Sequence, residues 1–323
     1  MTITSQAHMG TALRAEAPGM DKTADNMPRR WEPGSAPVAV IMISLNEAHN
    51  LEAVLENLKG WAQEVFLVDS YSQDGTVDIA LRYGVHVVQR RFRGFGDQWN
   101  FALENLPITA PWTMKLDPDE RLSDELKANI AQAILHGDAV GLEVRRRLWF
   151  MNHPLPIRQN LIRVWHTGCC RFSDVLVNEH PMVQGKIVFV SGDMEHHDSP
   201  NLHHWFDKQN FYTTEEAISI YHGTKLADEP KLLGSPLQRR MWFKKHYRKI
   251  PFRYFLNYIY YLIIVQFWFT GYEGIAWARL RILVRRSIED KLKEMTNLGK
   301  PMTLPERNIG QPDLRVKNYD DYN

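Results

Sequence analysis

An unbroken apolar run, VAVIMISL, occupies positions 38–45 of the chain. Runs of this kind, rich in β-branched residues, are typical of strands that are buried on both faces of a parallel sheet. Three similar runs follow, and segments whose apolar residues recur at helical spacing lie between and after them. The further strands are predicted at 64–70, 85–90 and 112–116, and the helices at 51–62, 72–84, 96–106 and 123–135.

Strands that alternate with helices predict an α/β fold with a doubly wound, mainly parallel sheet. Ligands of such sheets bind beyond the carboxyl ends of the strands. At that edge the sequence supplies polar residues after three predicted strands, namely Asn46 with Glu47, Asp69, and Asp117 with Asp119. We therefore expect a ligand site at this edge of the sheet.

The pattern changes after about residue 140. Further strands are predicted within 140–150, 161–166 and 186–198, and from Asn201 onwards the chain becomes helical, aromatic and basic. The expected organisation has four parts, which are a disordered N-terminal tail over 1–37, a catalytic domain over 38–222, a helical region over 223–298 and a C-terminal tail over 299–323.

The composition narrows the class of protein. Of 323 residues, 44% are hydrophobic and 24% are charged, as in globular proteins with a core. The formal net charge of +1 gives no overall field that would select nucleic acid. Cys169 and Cys170 are adjacent, which disfavours a disulfide between them and indicates a reducing, cytoplasmic compartment. No signal-peptide core and no run of about 20 apolar residues are found, so a transmembrane helix is not predicted.

The segment WTMKLDPDERL places the carboxylates of Asp117 and Asp119 directly after the fourth strand. A turn at Pro118 would bring both near one cation, and oxygen ligands of this kind suit Mg²⁺ or Mn²⁺ together with a substrate's phosphates. The alternative is a solvated turn before a helix, whose N-terminus Glu120 would favour. Neither a phosphate loop nor the G-x-G-x-x-G fingerprint is present, which argues against P-loop NTPases and dinucleotide oxidoreductases.

Five segments occur in an order and at a spacing that resembles the family-2 glycosyltransferases, and most of all their lipopolysaccharide-core β-glucosyltransferase-like branch. They are VIMISLNEAHNLEAVLENL, VFLVDSYSQDGTVDIALRYG, RFRGFGDQWNFAL, WTMKLDPDERLSDEL and LVNEHPMV. The resemblance covers about residues 38–216. It implies a GT-A fold, a nucleotide-sugar donor such as a UDP-hexose, inversion at the anomeric carbon, Mg²⁺ or Mn²⁺ as cofactor, and a saccharide acceptor on a lipid carrier or lipopolysaccharide core.

The resemblance also implies roles for individual residues. Those expected to bind the nucleotide sugar are Asn46, Glu47, Asp69, Gln98, Asn100 and Asp117, with Asp69 on the uracil or ribose. Those expected to hold the metal are Asp117, Asp119 and His196. Tyr71 and Trp99 depart from the family pattern, which has a glycine and a basic residue at these positions.

Sugar transfer needs a base that takes the proton of the acceptor hydroxyl. Within VNEH (177–180), Glu179 is the candidate base, and the alternative is a structural ion pair between Glu179 and Arg171. His196 lies in the segment EHHDSPNLHHW, where the alternative is a set of histidines that are hydrogen-bonded within a loop. Three further candidates for contacts with the diphosphate or the acceptor are Arg158, Arg163 and Lys208.

Two other functions stay open on the sequence alone. One is a nucleotidyltransferase, which also uses an α/β sheet with paired acids, although SLNEAHN lacks the glycine-rich basic loop of that class. The other is a non-catalytic, membrane-associated protein that binds carbohydrate or nucleotide on the same fold. Asp69, Asp117, Asp119 and Glu179 are all present, which favours an enzyme over such a binding protein.

The segment RRMWFKKHYRKIPFR (239–253) carries seven Lys or Arg residues and no acid, with aromatic residues between them. An aromatic and apolar run over 255–270 follows, and then a second basic cluster. This pattern predicts a helix in the headgroup layer of an anionic membrane, on the inner face of the cell membrane. The alternative is a buried helix that packs on the catalytic sheet, with the charges at its solvated ends.

Overall fold

The computed structural model of the protein describes residues 30–173, 180–223, 230–234, 238–239, 242 and 246–303. The candidate base Glu179 therefore lies outside the described residues, as do most of the predicted N-terminal tail and the C-terminal tail beyond residue 303. The domain boundaries expected from the sequence stay a prediction.

The elements of the first half lie where the apolar pattern predicts them, and a short extra strand, β5, follows β4. In chain order they are β1 (Ala36–Ser44), α1 (Ala48–Leu58), β2 (Ala62–Asp69), α2 (Thr76–Arg82), β3 (His86–Gln89), α3 (Phe95–Asn105), β4 (Trp112–Lys115), β5 (Glu120–Leu122) and α4 (Asp124–His136). Ser123 caps α4, because its Oγ accepts a hydrogen bond from the N–H of Leu126 at 3.2 Å. Gly84 follows α2 with a φ of 74°, a conformation that favours glycine and stops the helix.

The second half adds longer strands and further helices. In chain order they are β6 (Gly141–Phe150), β7 (His153–His166), β8 (Cys170–Phe172), β9 (Pro181–Val183), β10 (Ile187–His197), α5 (Leu202–Tyr221), α6 (Arg253–Ile259) and α7 (Gly271–Leu298). The sequence predicts only residues 161–166 as a strand, whereas β7 begins at His153. The strand is longer because β6 and β7 pair as one antiparallel hairpin up to Phe150 and His153.

The described strands form one eight-stranded sheet in the order β3-β2-β1-β4-β7-β6-β10-β5, and β8 pairs with β9 apart from it. The first four strands of this order are parallel. β7 runs antiparallel to both β4 and β6, while β6 and β10 are parallel again. The predicted mainly parallel sheet is therefore present. Both antiparallel pairs named here involve β7, which lies between β4 and β6.

Apolar side chains pack on both faces of this sheet. A cluster on one face joins α1, α2 and α4 to the strands, and a cluster on the other joins α3 through Trp99 to Trp165 and Phe172. A third cluster joins the β6–β7 hairpin to α5 and α7, and includes Phe150, Leu155, Trp205, Phe267 and Trp277. Full burial of one such side chain contributes about 1.5–3 kcal/mol, so α7 is firmly attached to the hairpin.

The segment before α7 buries Phe267 but exposes many of its other apolar side chains. Residues 253–270 form α6, a π-helical turn (Tyr260–Ile264) and a 3₁₀ turn (Phe267–Thr270), with Gln266 at a φ of 64° between the two turns. No residue of α6 is buried, but Phe267 is, and Tyr261 and Leu262 pack against the third cluster, so the run shows features of both interpretations. Among the described helices, none has the length and apolarity needed to cross a membrane.

Candidate active site

The carboxyl ends of β1, β2 and β4 lie side by side at one edge of the sheet. Ser44 of β1 is opposite Asp69 of β2, and Ile41 is opposite Lys115 of β4. Because these strands are parallel, the residues that follow them emerge at the same edge. The structure thus brings together the strand ends that the sequence marks with polar residues.

Hydrogen bonds join the loop after β1 to the loop after β2. Asn46 has a φ of 58°, its N–H donates to Ser72 Oγ at 2.8 Å, and its Oδ1 accepts from the N–H of Gln73 at 2.8 Å. The N–H of Glu47 donates to Thr76 Oγ1 at 2.9 Å. These bonds fix the direction in which the side chain of Glu47 leaves the sheet.

Asp69 is fully buried and already has hydrogen-bond donors at both carboxylate oxygens. Oδ1 accepts from Ser44 Oγ at 2.9 Å and from Ser72 Oγ at 2.5 Å, while Oδ2 accepts from the N–H of Ser72 at 2.8 Å and from Gln89 Nε2 at 3.0 Å. A carboxylate accepts about four hydrogen bonds, so its capacity is filled. A contact between Asp69 and uracil or ribose would have to replace one of these bonds, and the exposed Gln89 is the partner that can leave most easily.

Gln98 and Asn100 lie on α3 and face different neighbours. Gln98 is buried, donates to Ser70 Oγ at 3.3 Å, and accepts from Arg90 at 2.9 Å. Asn100 pairs with the backbone of Phe172, accepting from its N–H at 2.8 Å and donating to its carbonyl at 3.1 Å. Gln98 therefore touches the loop after β2, whereas Asn100 holds β8 against α3.

The three acids of DPDE have different surroundings. Asp117 accepts from Arg163 at 3.1 Å, and the same guanidinium donates to Glu120 at 2.6 Å. Glu120 is fully buried, and its Oε2 accepts from the N–H of Asp117 at 3.0 Å, which closes the turn. Although burial alone would raise the pKa of Asp117, the charges of Arg163 and Lys115 hold it below its usual value.

Asp119 meets residues that are far away in the sequence. β5 pairs antiparallel with β10, with Glu120 opposite His196, and the Asp119 carbonyl accepts from the N–H of His197 at 2.8 Å. This pairing gathers the side chains of Asp119, His196 and Asp198, whose ligand atoms all lie within 4.8 Å of one another. We call these three residues the acidic triad. The side chains are 17–19% exposed, so they are reachable from the cleft.

Opposite charges stabilise the ionised forms within the acidic triad. Burial would raise the pKa of Asp119, but the imidazole of His196 and the ammonium of Lys208 hold it well below its usual range. Burial would likewise lower the pKa of His196, yet the carboxylate of Asp119, 3.2 Å away, raises it. Lys208 lies 2.8 Å from Asp198, and despite burial this contact raises the pKa of Lys208 to about 12.

The pKa of Glu47 is raised, in contrast to those of Asp117 and Asp119. Burial raises the pKa of Glu47 to about 7, and the charges of Asp119 and Asp117 add to the effect. Asn50 opposes it by donating to Glu47 Oε2 at 2.9 Å. A cation beside Glu47 would lower this pKa again, because an opposite charge favours the carboxylate.

The acidic triad fits a divalent cation. Two carboxylates supply oxygen ligands, and the imidazole of His196 supplies a nitrogen ligand once the cation displaces its proton. A site with few protein ligands leaves positions for phosphate oxygens. Of the residues predicted to hold the metal, Asp119 and His196 lie in the triad, whereas Asp117 lies against Arg163. Sequence reasoning missed Asp198, although the acid- and histidine-rich segment 195–204 was the available signal, and it missed the burial of Glu120.

The family described as "Glycosyl transferase family 2" matches residues 39–171, a span from β1 to β8 that contains the DPDE turn. This chain carries a family-2 glycosyltransferase domain. The predicted enzyme class is thereby confirmed, as is the GT-A architecture, because the match covers the parallel strands and helices observed here.

Curated relatives of this glycosyltransferase extend the match beyond the domain. An uncharacterised glycosyltransferase of Rickettsia prowazekii (strain Madrid E) is 24% identical over 208 residues, which are 59% of this chain and 70% of that protein. The lipopolysaccharide core biosynthesis glycosyltransferase LpsC of Rhizobium meliloti (strain 1021) is 27% identical over 212 residues, 62% of this chain and 77% of that protein. An uncharacterised glycosyltransferase of Rickettsia bellii (strain RML369-C) is 23% identical over 282 residues, 82% of this chain and 89% of that protein.

Solved structures resemble a smaller part of the glycosyltransferase. Glucosyl-3-phosphoglycerate synthase from Mycobacterium tuberculosis, in complex with Mn²⁺, UDP and glucosyl-3-phosphoglycerate, has a TM-score of 0.29 and 21% identity. That likeness covers 35% of this chain and 44% of the mycobacterial one. Mannosyl-3-phosphoglycerate synthase from Rubrobacter xylanophilus has a TM-score of 0.30 and 19% identity, over 34% of this chain and 40% of the other. This chain thus matches less than half of the length of either solved protein.

Proposed function

We propose that this glycosyltransferase moves a hexose from a UDP-sugar to a saccharide acceptor, with inversion at the anomeric carbon and a divalent cation at the donor diphosphate. The observation that carries the proposal is the acidic triad, which lies at the edge of the sheet where Asn46 and Glu47 also emerge. A small set of carboxylate and imidazole ligands suits a cation that also binds phosphate oxygens. The family-2 domain supports the donor class, because the resemblance implies a nucleotide sugar.

The leaving nucleoside diphosphate needs positive charge. Asp119, Asp198 and His196 would hold Mg²⁺ or Mn²⁺, which when bound neutralises charge that develops on the diphosphate. Lys208 supports the same role with a permanent ammonium 2.8 Å from Asp198. Arg163 keeps Asp117 ionised and in a fixed position at the turn.

The nucleotide is expected to lie along the loops after β1 and β2. Asn46 and Glu47 begin this surface, and Gln98 reaches the same loops through Ser70. Asp69 would accept a hydrogen bond from uracil or ribose in place of Gln89. Asn100 supports the pocket from α3, since it holds the backbone of Phe172.

The donor class is tested by a thermal-shift panel of nucleotide sugars, each with and without Mn²⁺. A ligand at about 100 times its Kd adds roughly 2.7 kcal/mol to stability, which raises the melting temperature measurably. We expect UDP-sugars with Mn²⁺ to give the largest increase. An equal increase from every nucleotide sugar, or none from UDP-sugars, would contradict the proposal.

The base that takes the acceptor proton is proposed to be Glu179, on the sequence argument alone. Replacing it by Gln keeps the shape of the side chain but removes proton acceptance. We expect Glu179→Gln to retain Mn²⁺-dependent UDP binding and to lose most of the transfer rate. A rate within a few-fold of the parent would assign the role to His180 or Asp174 instead.

The acceptor is proposed to be a saccharide on a lipid or lipopolysaccharide-type carrier. The similarity to LpsC supports this class. A second support is the apolar surface formed by residues 252–272, which we call the insertion segment. Its large exposed side chains are Phe252, Phe255, Leu256, Tyr260, Ile263, Ile264, Trp268, Phe269 and Tyr272.

The insertion segment favours peripheral attachment to an anionic membrane from the cytoplasmic side. Soluble monomers rarely expose so many neighbouring apolar side chains, and such patches mark interaction sites. Exposed basic residues lie close by, such as Lys249 just before the segment and Arg286, whose guanidinium is 4.7 Å from the ring of Tyr254. Each basic residue near an anionic surface contributes about 1 kcal/mol. Aromatic and apolar side chains would insert while the basic ones meet the headgroups.

Flotation with liposomes that contain anionic lipid tests the attachment. We expect the parent to float at low salt, and the double variant Trp268→Ala, Phe269→Ala to float markedly less. These two side chains are 69% and 82% exposed. Leu135→Ala is the matched control, since Leu135 is also 69% exposed but lies on α4 outside the segment. Parent protein that stays at the bottom at low salt would rule the attachment out.

A further inference from the structure

A cavity of about 220 Å³ lies beside the acidic triad, between the β6–β7 hairpin, β10 and helices α5 and α7. Its lining residues are Arg146, Leu148, Ile157, Gln159, His196, Asp198, Gln209, Trp277 and Arg281. His196 and Asp198 belong to both the cavity and the triad, so the two share a wall. A molecule in the cavity would therefore lie next to a cation that the triad holds.

The charges of the lining leave the cavity positive. Asp198 is neutralised by Lys208, whose Nζ lies 2.8 Å away. Arg146 lies 3.6 Å from Glu120, a buried carboxylate that it shares with Arg163. Among the described residues Arg281 has no carboxylate at ion-pair distance, and its guanidinium lies 5.9 Å from the ring of Trp277.

The remaining lining residues suit a sugar ring that carries the anion. Leu148, Ile157 and Trp277 give apolar walls, and Gln209 supplies an amide. The amide oxygen of Gln159 accepts from Arg146 at 2.8 Å, which leaves the amide NH₂ of Gln159 for a ligand. Pockets for small ligands combine apolar walls with a few such polar groups. Two arginines favour a phosphate, because a doubly charged phosphate engages two guanidiniums, whereas one guanidinium satisfies a carboxylate.

The position of Arg281 also matches an acceptor presented at a membrane. α7 begins at Gly271, directly after the exposed Trp268 and Phe269. Arg281 lies ten residues further along the helix, which at about 1.5 Å per residue is roughly 15 Å from the insertion segment. A saccharide of a few rings on a lipid would span that distance.

We propose that this cavity binds a phosphate group carried by the acceptor saccharide, with Arg281 and Arg146 as its ligands. The inference rests on the proposed function, because it takes the neighbouring triad as the donor site. Arg281 then acts as a specificity-determining residue for phosphorylated acceptors.

The probe for a direct test is glucose 6-phosphate, titrated calorimetrically into the full chain with UDP and Mn²⁺ present. We expect binding that glucose does not reproduce, weakened at least tenfold in Arg281→Leu and less in Arg281→Lys, with Mn²⁺-dependent UDP affinity unchanged in both. Arg279→Leu is the matched control, since Arg279 lies on the same helix over Tyr272 and does not line the cavity. It should bind glucose 6-phosphate as the parent does.

Several outcomes would overturn the proposal. Equal binding by the parent and Arg281→Leu, or equal losses in Arg281→Leu and Arg279→Leu, would remove the specific role of Arg281. If inorganic phosphate binds as tightly as glucose 6-phosphate, the cavity recognises phosphate alone and makes no favourable contact with the saccharide. If only vesicles with phosphatidic acid, and not glucose 6-phosphate, distinguish Arg281→Leu from the parent, the site binds lipid headgroups. Failure of UDP and Mn²⁺ to bind the parent would instead contradict the proposed function.

Discussion

At the scale of single residues, the DPDE turn distributes three neighbouring carboxylates among three environments. Asp117 pairs with Arg163, Asp119 belongs to the acidic triad, and Glu120 is buried against the same Arg163. Buried carboxylates are costly unless positive charge and hydrogen bonds compensate them. Arg163 is therefore the residue that allows the turn to bring Asp119 to the cleft.

Removing Arg163 should cost much of the stability of the fold. In Arg163→Leu, Glu120 and Asp117 lose their closest positive charge, and breaking a buried pair typically costs about 3–5 kcal/mol. We expect the free energy of unfolding, measured in urea, to fall by about 3 kcal/mol. Arg158→Leu on the same strand should change it by less than about 0.5 kcal/mol, because Arg158 is exposed. A similar small loss in both variants would show that the buried charges find compensation elsewhere.

The two cysteines should differ in reactivity. Burial raises the pKa of the Cys170 thiol to about 12, whereas Cys169 is exposed. A raised pKa means less thiolate at a given pH, so at pH 8 only roughly one Cys170 in ten thousand is ionised. We expect iodoacetamide at pH 8 to label Cys169 first, with labelling lost in Cys169→Ser and retained in Cys170→Ser. The Cys170 rate should rise about tenfold per pH unit above pH 8, and a rate that levels off below pH 9 would contradict the shift.

At the scale of elements, the pairing of β5 with β10 builds the acidic triad. β10 reaches that position through a bulge, because the register with β6 shifts between Val190 and Asp193. Gly192 lies in the bulge with a φ of 102°, and a Cβ there would come within 2.6 Å of the backbone of Leu126. Glycine at this position lets β10 pass close to α4 and carry His196 to Asp119.

Gly192→Ala should disturb both the fold and the triad. A side chain at this φ is strained by about 1–3 kcal/mol, and the approach to the α4 backbone adds to that cost. We expect a loss of unfolding free energy above about 2 kcal/mol together with weaker Mn²⁺ binding. Gly168→Ala separates the two causes, because Gly168 has a φ of 85° but no atom within 4 Å of a Cβ. Equal losses in the two variants would mean that the close approach to α4 is unimportant.

Local sequence patterns predicted the parallel strands, their helices and the edge that holds the site, because these follow from apolar spacing and chain direction. The Ser123 cap and the Gly84 stop were predictable for the same reason. The partners of Asp119 were not, since 77 positions separate it from His196 and only the β5–β10 register joins them. The ion pairs of Asp117 and Glu120 with Arg163 could not be predicted either, because they depend on the pairing of β7 with β4.

At the scale of the whole molecule, each proposed site adjoins the next. The insertion segment leads into α7, α7 borders the cavity through Trp277 and Arg281, and the cavity shares His196 and Asp198 with the triad. The third apolar cluster attaches α7 to the β6–β7 hairpin, and this packing fixes the position of α7 relative to the cavity. The arrangement suits an enzyme that works on an acceptor held at a surface.

The proposed function depends on a cation that the acidic triad holds and through which the donor diphosphate binds. Calorimetric titration of UDP with and without Mn²⁺ tests it most directly, in the parent, in Asp198→Asn and in Asp138→Asn. Asp138 is an exposed carboxylate that pairs with Lys186, outside the triad, and serves as the control. We expect Mn²⁺-dependent UDP binding in the parent and in Asp138→Asn, and at least a tenfold weaker affinity in Asp198→Asn. Equal UDP affinity in all three proteins, or affinity that does not change with Mn²⁺, would contradict the role of the triad.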